Sequence, residues 1–205
     1  MSRIVAGSAR GRRIAMPPGQ RTRPTSGRVR EALFAALASW AGTAGQPPGQ
    51  TLADLAFCDL YAGSGAVGFE AASRGAHPVL LVESDRRTAQ LAAMNATALG
   101  LEADIQIAPV EELTDRQASR AYDIVFADPP YELASDVVSA VLAGLVEHHW
   151  LAPTGLVVVE RSRRSPALHW PEAFGEVRVR RYGETVLCFG TSTGSVSQAP
   201  VEGER

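Results

Sequence analysis

The sequence predicts an α/β protein built on a mostly parallel, Rossmann-like sheet of about seven strands. From Thr51 onward, short apolar runs alternate with helical patterns, as in a parallel sheet covered by helices on both faces. A glycine-rich turn follows the first of these runs, as it does in nucleotide-binding domains of this class. Near the C-terminus, only Gly183-Glu184 separates two strand-like runs, which permits a hairpin but not a crossover. One C-terminal strand must therefore run antiparallel to its neighbours.

Composition places the chain among soluble globular proteins. Its 205 residues are 45% hydrophobic and 20% charged, which fits one domain with a small appendage. No apolar run approaches the roughly 20 residues that span a bilayer, and no apolar segment follows the charged N-terminus as it would in a signal peptide. Cys58 and Cys188 lie in apolar surroundings, and neither they nor the histidines show metal-ligand spacing. We expect a cytoplasmic protein with two buried thiols and no metal.

Positive charge is concentrated at the N-terminus. The first 30 residues hold eight arginines and no acidic residue, and the other twelve arginines against 22 acidic residues leave the remainder at −10. Such a segment favours a polyanion, because arginine contacts phosphates bidentately and stacks on bases. Residues 4–5 and 13–15 resemble two short strands of a basic hairpin, although a solvated arm is the alternative. The hairpin's candidate phosphate contacts are Arg10, Arg12, Arg13 and Arg21.

A helix is predicted after the hairpin. Apolar residues recur at spacings of 4, 4 and 3, at Val29, Leu33, Leu37 and Trp40. Thr25 or Ser26 would cap this helix. Residues 41–50 are rich in glycine and proline and show no periodicity, so they form a natural boundary. We therefore divide the chain into a basic N-terminal segment (1–50), a nucleotide-binding domain (51–190) and a disordered tail (191–205).

The strands of the domain follow from its apolar runs. They are expected at residues 56–60, 79–82, 104–108, 122–127, 156–159, 176–182 and 185–190. Helices should fill the gaps between the first five strands. Gly75 and Gly100 stand where helix ends need left-handed geometry, and Ser84-Asp85 can cap the helix that contains Asn95.

The first motif with chemical content is the glycine turn after the first strand, Asp59-Leu60-Tyr61-Ala62-Gly63-Ser64-Gly65-Ala66-Val67-Gly68. Gly63 and Gly65 would let the main chain approach a ligand, and Gly68 would permit tight helix packing. Glu83, at the end of the second strand, can accept both hydroxyls of a ribose. The motif indicates a nucleoside ligand, although a purely structural turn is the alternative. Asp59 adds a carboxylate that suits a cationic amino group, which S-adenosylmethionine has and a nicotinamide cofactor lacks near this position.

The second motif is Asp128-Pro129-Pro130-Tyr131, directly after the apolar run 124–127. Strand ends of this kind line ligand crevices, and two prolines keep nearby carbonyls out of a sheet ladder. An acid, a rigid carbonyl and an aromatic face together suit a planar base held by its exocyclic amine. A plain turn is the alternative, because Asp-Pro commonly opens turns.

With these two motifs the chain resembles the class I S-adenosylmethionine-dependent methyltransferases, and the second motif is similar to the signature of those that methylate exocyclic amines. Three N-terminal stretches narrow the resemblance: residues 7–12 (GSARGR), 23–25 (RPT) and 28–34 (RVREALF). They are similar to those of the RsmD-type ribosomal RNA guanine-N2 methyltransferases, and the likeness extends from Ile4 to Gly190. It implies methyl transfer to the N2 atom of a flipped guanine in 16S rRNA, within a small subunit or an assembly intermediate. It also implies a monomer, with S-adenosyl-L-homocysteine as the product.

The resemblance assigns roles to residues. The base would be held by Asp128, Pro129, Pro130 and Tyr131, with no strong general base required. The cofactor would contact Asp59, Tyr61, Ala62, Gly63, Ser64, Gly65, Glu83, Ser84 and Asp128, with its adenine near Ala108, Pro109, Val110 and Glu111. Arg23, Thr25 and Arg28 would reach the rim of the site.

Several alternatives stay open. Glu111 could begin a solvated helix, and Arg161, Arg163 and Arg164 could extend the RNA footprint or form an exposed charge cluster. Rival functions are adenine-N6 methylation of DNA or RNA, a nicotinamide-dependent oxidoreductase, and a non-catalytic RNA-binding assembly module.

Overall fold

The computed structural model describes residues 2–17 and 27–194. The predicted basic hairpin is present: strand β1 (Ser2–Arg3) pairs antiparallel with β2 (Arg13–Ile14), two residues earlier than expected for the first strand. The predicted helix is α1 (Gly27–Trp40), which buries the first three residues of the apolar stripe but leaves Trp40 at its end 36% exposed. The proposed caps Thr25 and Ser26 lie outside the described residues.

The domain is a single mixed sheet with helices on both faces. Its strands are β3 (Phe57–Leu60), β4 (Val79–Glu83), β5 (Asp104–Ile107), β6 (Tyr122–Ala127), β7 (Leu151–Ser162), β8 (Arg178–Tyr182) and β9 (Thr185–Thr191). The helices are α2 (Ala66–Ser73), α3 (Arg86–Leu99), α4 (Val110–Thr114) and α5 (Ser135–Glu147). The seven strands lie in the order β5-β4-β3-β6-β7-β9-β8.

Strand direction confirms the predicted mixed sheet. The strands from β3 to β7 are parallel, whereas β9 is antiparallel to both of its neighbours, β7 and β8. β7 is longer than predicted because its second half pairs with β9 as far as Ser162 and Thr185. The chain order reverses between β3 and β6, and such a reversal places a crevice at the carboxyl ends of these two strands.

Alternation along β3 divides the core between the two faces of the sheet. Phe57 packs with the apolar residues of α1 and α2, and Cys58 and Leu60 pack with those of α5. Asp59 shares the face of Phe57 and is only 2% exposed, so a carboxyl group interrupts an otherwise apolar strand. Cys58 is fully buried as expected, whereas Cys188 on β9 is half-buried; both are free thiols.

The N-terminal segment packs on the domain through Glu70 of α2, whose side chain is fully buried. Its carboxylate accepts hydrogen bonds from the main-chain N–H groups of Val5 at 2.7 Å and Ala6 at 2.9 Å. It also accepts from Arg74 Nε at 2.9 Å, and Arg30 Nε of α1 lies at 3.8 Å. The described part of the hairpin is therefore fixed to the sheet domain rather than solvated.

The chain remains paired beyond the predicted boundary at Gly190. Thr191 ends β9, and Ser192 forms a β-bridge with Phe174. Residues 195–205 of the proposed tail lie outside the described residues. Within the described ranges, no helix is both long and apolar enough to cross a membrane.

Candidate active site

A cleft of about 410 Å³ opens at the carboxyl ends of β3, β4, β5 and β6. The structure brings both sequence motifs to it. The predicted residues that line it are Asp59, Tyr61, Ala62, Gly63, Ser64, Glu83, Ser84, Pro109, Val110, Glu111, Asp128, Pro129, Pro130 and Tyr131. Gly65 and Ala108, which were also predicted, are not among its lining residues. Residues from four separate strand ends thus meet in one crevice.

The glycines of the turn have different physical roles. Gly63 has a φ of +56°, and a side chain built there would meet nothing within 4 Å, so its main chain faces open space. Gly65 has a φ of +82°, and a Cβ there would lie 2.3 Å from Cε2 of Phe69. Backbone conformation and packing thus both require glycine at position 65. Gly65 does not line the cleft, so the structure does not place it where it was expected to approach a ligand.

Glu83 is held by the loops on both sides of it. Its Oε2 accepts a hydrogen bond from the Gly63 N–H at 2.9 Å, and its Oε1 accepts from the Asp85 N–H at 2.8 Å. Each carboxylate oxygen has a second lone pair. Glu83 can therefore accept further hydrogen bonds from two neighbouring hydroxyls while its rotamer stays fixed.

Asp59 lies at the floor of the cleft. Its Oδ2 accepts a hydrogen bond from the Gly68 N–H at 2.8 Å. Burial raises the pKa of Asp59 from 3.8 to about 7, against the opposing effect of the Gly68 hydrogen bond, and the negative charge of Glu83 raises it further. A nearby cation stabilises the ionised form of a buried carboxyl group, so this site suits a positively charged ligand group.

The second motif follows β6, and its four residues range from buried to exposed. Burial raises the pKa of Asp128 well above its ordinary value. The negative charges of Glu160 and Asp59 raise this pKa further, by smaller amounts. Pro129 is buried, whereas Pro130 and Tyr131 are exposed, the latter at 61%. The aromatic ring is therefore outside the core, where a planar ligand can reach it. No cluster of potential metal ligands occurs among the described residues.

Asn95 of α3 joins the glycine turn to the N-terminal hairpin. Its Nδ2 donates to the carbonyls of Ala15 and Ser64, both at 3.0 Å, and its Oδ1 accepts from the Ala15 N–H at 2.9 Å. Met16, the next residue along the chain, lines the cleft, and the Ser64 hydroxyl lies 3.1 Å from its sulfur. Sequence reasoning missed Met16, because nothing in a Gly-Pro-rich neighbourhood indicates a return to the cleft.

Glu111 lines the cleft and accepts a hydrogen bond from the Tyr61 hydroxyl at 2.7 Å. Burial raises the pKa of Tyr61, and the hydrogen bond to Glu111 adds to this effect. The alternative of a simply solvated helix start therefore does not describe Glu111.

The predicted RNA-contacting residues are dispersed. Arg10, Arg13 and Arg28 are exposed, whereas Arg12 donates from Nη2 to the Ala98 carbonyl at 2.8 Å and so binds the end of α3. This contact gives Arg12 a structural role, because helix C-termini leave carbonyls without intrahelical partners. Arg21, Arg23 and Thr25 lie outside the described residues. Arg163 and Arg164 are exposed, and Arg161 is buried.

A protein-family model described as "Conserved hypothetical protein 95" matches residues 2–191. Among curated proteins, ribosomal RNA small subunit methyltransferase D of Haemophilus influenzae is 32% identical over 172 residues, which cover 81% of each chain. The protein of the same name from Escherichia coli K12 is 33% identical over 190 residues, or 88% of each chain. Among solved structures, the putative methyltransferase yhhF from Escherichia coli superimposes with a TM-score of 0.80 at 29% identity, covering 95% of this chain and 99% of that one.

Proposed function

Because this chain belongs to the family described as conserved hypothetical protein 95, which includes ribosomal RNA small subunit methyltransferase D, we propose that it methylates the N2 amine of a guanine in 16S rRNA. The methyl donor is S-adenosyl-L-methionine, and the product is S-adenosyl-L-homocysteine. The substrate is the RNA within a small subunit or an assembly intermediate, and the enzyme acts as a cytoplasmic monomer. The observation that carries this proposal is the meeting of Asp59, Glu83 and Asp128 in one cleft.

The chemistry of the cleft fits an adenosyl sulfonium donor. Asp59, a buried carboxyl group at the floor of the cleft, suits the ammonium of the methionine end, because a nearby cation stabilises its ionised form. Glu83 suits the ribose hydroxyls, because both of its oxygens are oriented by main-chain N–H groups. Pro109 and Val110 line the cleft beyond Glu83 and provide apolar surface for an adenine. When bound, this donor supplies an electrophilic methyl group on a positively charged sulfur.

The end of β6 suits the guanine. Its exocyclic amine is a weak nucleophile because its lone pair is delocalised into the ring, so the site must orient this group. The Asp128 carboxylate and the Pro129 carbonyl accept hydrogen bonds from the two N–H groups of the amine, and Tyr131 stacks on the base. Alignment of two bound reactants accounts for about 7 to 11 kcal/mol of barrier, whereas flipping a base costs only a few kcal/mol. The proton released after transfer is acidic, so a strong general base is not needed.

The experiment is methyl transfer in vitro. Purified protein is incubated with labelled S-adenosylmethionine and either small subunits or the extracted RNA from cells that lack the gene. Nucleosides are then separated by mass spectrometry. We expect N2-methylguanosine at one position, with little signal for Asp128→Ala. A product that is N6-methyladenosine, or transfer to duplex DNA at the same rate, would overturn the guanine assignment. Binding of the RNA without any transfer would favour the assembly-module alternative.

A further inference from the structure

A second cavity, of about 550 Å³, lies beside the active-site cleft. The two share one wall, formed by Tyr131, Glu132 and Leu133. The rest of the second cavity comes from the start of α5 and from the end of β7 with its following turn, at Ala134, Ser135, Arg161, Ser162, Arg164, Ser165 and Pro166. A ligand that spans this wall would reach both cavities.

Arg161 is the main charged group of the second cavity. It lies two residues beyond Val159, which pairs with Ala127, so it reaches the same end of the sheet as Pro129. It is 7% exposed, and its Nη2 donates to Ser135 Oγ at 3.0 Å. Its Nε is buried without a hydrogen-bond partner. Among the described residues, no carboxylate forms an ion pair with this guanidinium.

A buried cation without a counter-ion is energetically costly, which indicates an anionic ligand. The 13-residue helix α5 begins at Ser135, beside the Arg161 guanidinium, and a helix N-terminus favours negative charge. Arg164 lines the rim, where its Nε lies 3.6 Å from the carboxylate of Glu184. Glu184 thus offsets the charge of Arg164, and Glu132 also lines the cavity. Among the described residues, Arg161 is left as the lining arginine without an ion pair, which suits a group with no more than a single negative charge.

We propose that the second cavity binds a phosphodiester of the RNA chain, next to the nucleotide whose base enters the active-site cleft. The inference rests on the proposed function. A phosphodiester has the required single charge, and the planar guanidinium of arginine matches its two free oxygens. Because Tyr131 belongs to both cavities, a base stacked on this ring has its own backbone at the mouth of the second cavity. Arg161 then positions the RNA chain, and Asp128 positions the amine.

The test replaces single phosphates of the RNA by uncharged methylphosphonates around the modified guanine. With the wild-type protein, one position is expected to raise the KM for RNA about tenfold, because a charge-assisted hydrogen bond is lost. Arg161→Gln should show a similarly raised KM on unmodified RNA and no further rise at that position. A series in which no position changes the KM would overturn the proposal without any variant being needed.

Controls separate this site from the cofactor site and from the fold. Arg161→Gln should leave the affinity for S-adenosylhomocysteine unchanged, and the salt dependence of its RNA binding should fall by about one phosphate contact. Arg161→Lys should recover part of the affinity. Arg178→Gln, at an exposed arginine of β8, should behave as wild type. If the wild type methylates guanine and Arg161→Gln has an unchanged KM for RNA, the phosphate subsite is refuted and the proposed function stands. If the wild type does not methylate guanine, the proposed function itself is refuted.

Discussion

The side-chain amide of Asn95 forms a pair of hydrogen bonds with the main chain of Ala15, one in each direction. A third hydrogen bond, to the Ser64 carbonyl, links this pair to the glycine turn. One buried side chain therefore links the segment that follows the hairpin to the glycine turn of the cleft.

Replacing Asn95 with alanine should weaken both connections. We expect a loss of about 1–3 kcal/mol in the free energy of unfolding, since main-chain groups lose their partners. We also expect weaker binding of S-adenosylhomocysteine, because the Ser64 carbonyl is no longer held. Chemical denaturation and calorimetric titration measure the two effects. Thr97→Ala, at an exposed position of the same helix, is the matched control; equal behaviour of the two variants would contradict the role of Asn95.

With Asp59 as the proposed partner of the cofactor's ammonium, its raised pKa should make cofactor binding dependent on pH. Below a pH of about 7 the carboxyl group of the free protein is protonated, so a cationic ligand must displace a proton. Affinity for S-adenosylhomocysteine should rise as the pH increases from about 5 to 8, with proton release visible as a buffer-dependent enthalpy. Asp59→Asn should bind more weakly and lose this dependence. An affinity of the wild type that is flat over this range would refute the assignment.

The raised pKa of Asp59 also makes the stability of the free protein dependent on pH. The folded pKa of about 7 lies above the ordinary value of 3.8, so the folded state binds the proton more tightly than the unfolded state does. The contribution of Asp59 to the free energy of unfolding is full below a pH of about 4 and is lost as the pH rises to about 7. Denaturation of wild type and Asp59→Asn across this window should show a difference that changes with pH.

Asp128 should control turnover rather than cofactor binding. Asp128→Asn keeps the size of the side chain but replaces one acceptor with a donor, so kcat should fall by about two orders of magnitude or more, as for a lost transition-state contact. Because the pKa of Asp128 is raised, the acid limb of the wild-type kcat/KM profile should lie above the ordinary range of an aspartate. Initial rates of methyl transfer measured from pH 5 to 9 test this position of the acid limb. Full activity of Asp128→Asn would exclude the amine-holding role.

Glu70 should be essential for the attachment of the hairpin. Glu70→Ala leaves Arg74 and Arg30 buried without their carboxylate and removes the acceptor for Val5 and Ala6. Breaking a buried pair from one side costs about 3–5 kcal/mol. We expect a lower midpoint in urea and faster proteolytic cleavage near the N-terminus. Glu112→Ala, which removes only an exposed ion pair with Arg116, should change neither measurement.

The central strands β3, β4 and β6 could be predicted because they are short, largely apolar runs. The strand-end position of Asp59, Glu83 and Asp128 followed from the same pattern, and the cleft contains all three. β8 is mostly arginine and was predicted as one half of a hairpin, from the two-residue gap before β9. Contacts between distant segments could not be predicted in this way. Asn95 has the sequence context of an ordinary helical residue, and its bond to the glycine turn was not predicted. Nothing in the sequence around Arg12 indicated that its guanidinium binds the end of α3. Such contacts depend on how the hairpin packs on the domain, which local periodicity does not encode.

The position of β9 between β7 and β8 has a consequence for synthesis. β8 precedes β9 in the chain, and among the described strands it pairs with β9 alone. During translation β7 must keep an open edge, next to the arginine of the second cavity, until Thr191 has left the ribosome. Termination before β9 is complete would therefore yield an incomplete sheet, in which β8 has no partner strand and β7 stays at the edge.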